Sequence, residues 1–187
     1  MKKLAVLLAV VFCAAPVFAG DTGILKLSLW GDIAVAVPNN TQHVTGVDLG
    51  IGSSTEKIDG LQLDLIYSEA GTVRGINSAF IVSKADLVYG LQGGIYNKAN
   101  SVYGIQGGLI AINETELVGL HDGWINIAHG TLVGVQAGIY NQVEDLHGVQ
   151  LGLVNNARFI SKGLQIGLVN IAKNGWVKVL PIVNGHF

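Results

Sequence analysis

The chain has 187 residues, 13% of them charged and 50% apolar, with 26 glycines and a single cysteine. A formal charge of −2 without a basic cluster excludes a binder of phosphate backbones, and one cysteine excludes a disulfide framework. Low charge, abundant glycine and short apolar runs point instead to many short strands and tight turns.

The N-terminus reads as an address. Lys2 and Lys3 precede an apolar stretch from Leu4 to Val17, and Val17-Phe18-Ala19 places small residues where a signal peptidase needs them. The stretch is too short for a retained membrane helix, so residues 1–19 are predicted to be a secretory signal cleaved after Ala19. Cys13 leaves with it, and Phe12 before that cysteine argues against lipidation. Loss of Lys2 and Lys3 takes the basic residues from 11 to 9 against 13 acidic ones, a net charge of −4. The mature chain is then free of cysteine, which excludes thiol chemistry.

Residues 20–45 read as a cap-strand region, within which Leu25 to Val37 would cover the first coil. From residue 46 to 176 the chain repeats. Glycines recur at Gly46, Gly60, Gly75, Gly90, Gly104, Gly119, Gly134, Gly148 and Gly163, always 14 or 15 residues apart. An aliphatic residue follows each, and then usually a glutamine (Gln62, Gln92, Gln106, Gln136, Gln150, Gln165), with Asp48, Asn77 and His121 in the remaining units. A second glycine is common four residues after the first, a large apolar residue always comes next, and asparagine closes five units at Asn97, Asn126, Asn141, Asn155 and Asn170. The consensus is G-φ-Q-x-G-φ-φ-N, followed by a variable polar segment.

This unit does not suit a helix, which needs a 3.6-residue apolar period and little glycine. Its apolar residues alternate, as in a strand. A further apolar slot lies two residues before each glycine from Val44 to Leu146, so alternation breaks at the glycine and predicts a corner or bulge there. The expected fold is all-β: a β-solenoid of about nine 14–15-residue coils, closed by a cap strand at residues 177–187. Stacking explains the constant Gln and Asn positions, because amides hydrogen-bond in ladders. It also places Leu153 and Leu168 in equivalent interior positions about 5 Å apart.

The alternative is an antiparallel β-meander closed as an outer-membrane barrel. Ten residues from Val88 to Asn97 would suit a tilted membrane strand, and the terminal Phe187 would suit such a barrel. Uniform connections argue against it, as do Asp122 and Ser78 on the face that would meet lipid.

The units at 148–155 (GVQLGLVN) and 163–170 (GLQIGLVN), with the ending from Lys173-Asn174-Gly175 through Leu180-Pro181-Ile182-Val183-Asn184 to Phe187, resemble a family of bacterial surface-repeat proteins of spirochaetes and other Gram-negatives. The likeness covers most of the mature chain and is weakest from 46 to 89, where Asp64 and Ala79 fill the second glycine slot. It implies an exported or surface-associated protein and transfers no catalytic residue.

Candidate chemistry is sparse. His121-Asp122-Gly123-Trp124, with His129 nearby, is a polar-aromatic cluster, but its spacing matches no zinc pattern and His121 is expected to be exposed. The acidic pairs Glu114/Glu116 and Glu144/Asp145 fall in variable turns with no cleft to serve glycoside hydrolysis. Ser53-Ser54 lacks a nucleophile elbow, Asn113-Glu114-Thr115 is a short sequon, and Gly90-Leu91-Gln92-Gly93-Gly94 opens no helix and so forms no phosphate loop. Tyr96, Tyr140, Trp124 and Trp176 are candidate contact aromatics. The sequence therefore predicts no catalytic, cofactor or metal site. It predicts a non-enzymatic structural or interaction protein of the cell envelope, whose partner would be an envelope protein or a glycan. A polysaccharide-active β-helix enzyme is a distant third reading.

Overall fold

The computed structural model describes residues 22–31, 33–37 and 41–187. The predicted signal segment lies outside them. The protein is all-β. Its elements are β1 (Thr22–Trp30), β2 (Ile33–Val37), β3 (His43–Ala79), β4 (Val82–Ala172) and β5 (Val179–His186), arranged in one open sheet in the order β2-β1-β3-β4-β5.

Pairing is parallel in the middle and antiparallel at both margins. β1 runs parallel to β3, with Leu25 opposite Val47, and β3 runs parallel to β4, with Gly75 opposite Gly90. β2 lies antiparallel on β1, and β5 antiparallel on the Gly163–Ile171 stretch of β4. A closed antiparallel meander is not this arrangement.

β4 spans 91 residues. Straight, it would reach roughly 300 Å. Instead the extended backbone lies back on itself one unit at a time. A Cβ added to Gly104 would fall 2.0 Å from the Gly90 carbonyl oxygen, and one on Gly119 2.0 Å from that of Gly104. The first glycine of every unit has φ between +134° and +158°, so the expected corner is present, and only glycine meets both conditions.

The apolar core is narrow. The residue two before each glycine is buried at every unit from Val44 to Leu146, and Ile160 continues the row. Small residues such as Ala99, Ala128 and Ala157 face it. The amides fill the rest of the interior. Gln106, Gln150 and Gln165 each donate to the glutamine one unit earlier, at 3.0, 2.6 and 2.8 Å, while Gln92, Gln106 and Gln165 also reach a backbone carbonyl six residues on. Asn126, Asn141 and Asn155 form a second ladder at 2.8–2.9 Å. Pairing of this kind offsets the several-kcal/mol cost of burying an amide, although the side-chain oxygens of Asn97, Gln106, Asn126 and Gln165 have no partner.

One expectation is overturned by this arrangement. Leu153 and Leu168 are 51% and 68% exposed. The buried glutamine and the second glycine share one parity of the strand, and that glycine must face inward. A Cβ on Gly152 would lie 2.4 Å from the Gly138 carbonyl oxygen. The next residue, Leu153, is thereby turned outward.

Candidate functional site

The chemistry-bearing side chains that the sequence singles out are dispersed and engaged with one another. His121 is fully buried, contrary to the expected exposed position. It replaces a glutamine in the ladder: Nε2 lies 3.1 Å from the Ala111 carbonyl, and Gln136 Nε2 lies 3.3 Å from Nδ1. That pairing fixes a neutral ring that donates from Nε2 and accepts at Nδ1. Burial pulls its pKa down to about 4. Asp122 and Trp124 point outward, so the cluster is split between the two faces of one strand.

Outside, His129 and Lys98 both contact Glu114, at 2.7 Å each, and hold its carboxyl below the usual range. Glu116 instead accepts from the Tyr103 hydroxyl at 2.6 Å, so the two acids do not work as a pair. Glu144 pairs with Arg158, while Asp145 takes Ser161 and His147. Asn113 is buried and its amide donates to two backbone carbonyls, which removes it as a glycan acceptor in the folded chain. Among the described residues no His/Cys/Asp/Glu group converges to hold a metal ion.

Two features were missed by sequence reasoning. The first is a buried polar knot near the N-terminal margin. Asp48 accepts from Ser28, Ser53 and Thr55 at 3.0, 2.5 and 2.7 Å, and Lys26 stands 3.9 Å away while donating to Thr55. Ser53 is therefore a structural hydroxyl. Beside the knot, neither Asp64 oxygen has a hydrogen-bond partner, and burial, reinforced by the Asp48 charge, raises the Asp64 pKa to about 7. The only signal for this in the sequence was Asp64 standing in a glycine slot.

The second is the outer surface. Counting each first glycine as zero, residues one, three and five face outward along one strand of every unit. Row five is apolar and exposed throughout: Ile51, Leu65, Phe80, Ile95, Leu109, Trp124, Ile139, Leu153 and Leu168. Row one is aliphatic from Val47 to Leu164. Row three runs Leu49, Leu63, Ser78, Gly93, Gly107, Asp122, Ala137, Leu151 and Ile166. Asp122 is the one ionisable side chain in these three rows, and the charged ladders described above lie on the variable segments. The result is a flat apolar wall, with Trp124 in it and Tyr96 and Tyr140 at its margin.

The chain matches no protein-family model, no curated protein and no solved structure. The wall is the feature from which function must be argued.

Proposed function

We propose that this protein is an exported, non-enzymatic β-solenoid of the bacterial cell envelope, about nine coils long, that serves as an interaction scaffold through its apolar wall. Nine consecutive exposed large apolar residues in row five carry this reading. Monomeric soluble proteins rarely leave a patch larger than about 300–600 Å² uncovered, and a wall of this length marks a contact surface. Unit-on-unit parallel pairing and the amide ladders support the solenoid. The Lys2-Lys3 and Val17-Phe18-Ala19 pattern, together with the resemblance to surface-repeat proteins, supports export. A wall with so few hydrogen-bonding groups suits a protein or lipid surface better than a glycan.

The test is fractionation of a Gram-negative host expressing the full chain. The expected product is envelope-associated and begins at Gly20 by mass spectrometry. Leu109→Glu with Ile139→Glu should shift the elution of the chain from envelope extracts on size-exclusion chromatography to a smaller species, with its β-type circular dichroism intact. An unprocessed Met1 terminus would sink the export reading, and unchanged elution of the double variant would sink the wall.

A further inference from the structure

We infer that the partner received by the wall is a second copy of this chain, related by a two-fold axis that crosses the wall between Gly93 and Gly107. The inference deepens the scaffold reading and rests on the wall being a contact surface.

Size is the first argument. Nine units at about 4.8 Å and a strand five residues wide give a wall of roughly 700 Å². Row six, apolar except for Gly52, extends it around the corner. This approaches the roughly 800 Å² per partner of a standard stable interface.

The second argument concerns two glycines that the monomer does not require. Gly93 and Gly107 face outward, their φ values lie outside the left-handed region, and a Cβ on either would meet nothing nearer than 3.5 Å. The first and second glycines of each unit are explained by corners and by close carbonyls, but this pair is not. Between the exposed Leu91, Ile95, Ile105 and Leu109 they leave a hollow in the wall that an apposed surface can fill.

The third argument is register. An axis between Gly93 and Gly107 sets each against the other across the interface. One unit further out, the wall's single carboxylate, Asp122, meets Ser78 of the partner subunit, whose hydroxyl can donate to it. Beyond that, Leu63 meets Ala137 of the partner subunit, large against small. With the axis along the strands, row three of one wall faces row three of the other, and the large side chains of rows one and five hold the two sheets about 10 Å apart. A lipid surface would offer Asp122 no donor at that depth, and the wall carries no cation for anionic headgroups.

Sedimentation equilibrium and vesicle flotation of the purified chain test this. The expected species has twice the monomer mass. Ser78→Asp should weaken dimerisation at least tenfold by placing it against Asp122, and adding Asp122→Lys to Ser78→Asp should restore it. Gly107→Glu should give a folded monomer. A monomer at micromolar concentration overturns the inference. If that monomer floats with phosphatidylethanolamine–phosphatidylglycerol vesicles, the wall reading stands with lipid as its partner. If it neither floats nor, in envelope extracts, changes its elution with Leu109→Glu and Ile139→Glu, both readings fail. A dimer indifferent to Ser78→Asp and Gly107→Glu overturns the assigned interface.

Discussion

The units before residue 90 and those after it share a backbone but not an interior. In the later units Gln106, Gln136, Gln150 and Gln165 each donate to the residue one unit earlier, which for Gln136 is His121, while Gln92 donates to Ser83. In the earlier units the same position holds Asp48, Gln62 and Asn77. Asp48 is satisfied by hydroxyls, Asn77 accepts from Ser68 at 2.7 Å, and both amide atoms of Gln62 lack a partner. The lesson is that the corner glycines set the register. Interior chemistry changes between the two regions without shifting that register, even where, as at Gln62 and Asp64, the polar atoms find no partner.

Exchanging features between the two regions tests this. Gly152→Asp places in a regular unit what Asp64 is in an irregular one. With carbonyl and amide groups within 3.0 Å of the new Cβ, it should cost about 3 kcal/mol or more, read from the denaturant midpoint. Gly152→Val keeps the crowding without the charge and should cost about 1–3 kcal/mol. An unchanged midpoint for either means that the units are not closely packed there.

The reverse exchange, Asp64→Gly, bears on pH. The folded-state pKa of Asp64 is raised to about 7 from 3.8, so the folded chain holds a proton that the unfolded chain releases. This contribution is present below about pH 4 and is lost as pH rises toward 7. Asp64→Gly should remove that fall and leave the variant relatively more stable at pH 8 than at pH 4. Parallel stability curves for variant and parent would refute it.

His121 titrates in the opposite sense. Its folded pKa is lowered to about 4 from 6.5, so its contribution is present above pH 6.5 and is lost as pH falls toward 4. His121→Gln completes the ladder and should flatten that acid limb, with little change at neutral pH. The smallest effect is expected outside: Glu114→Gln breaks the Lys98 and His129 contacts at a partly exposed site and should cost under about 1 kcal/mol. A larger loss would show that these surface ladders bind the units together.

The repeat, its corner glycines and its amide ladders were all legible in the sequence. The direction of the strand faces was not. Alternation fixes that Gln150 and Leu153 lie on opposite sides, but it does not say which side is inside. The habit of burying leucine and exposing glutamine chooses wrongly here, because a ladder of matched amides satisfies itself and the second glycine must face the neighbouring carbonyl. His121 was misplaced for the same reason, as a histidine in a buried amide's position. The same habit places Leu153 and Leu168 in the core and so hides the wall.

Pairing at intervals of one unit has a genealogical consequence. Each unit presents to the next the same corner glycine and the same outward apolar row as it receives from the one before, whatever its interior holds. A tandem duplication or deletion of 14 or 15 codons would therefore create no new kind of junction. Among the described residues the two outermost strands, β2 and β5, differ from the rest in direction, both being antiparallel, and Ile182 of β5 has a φ of 73°. The number of units, and with it the length of the wall, can thus change in whole steps without altering either margin.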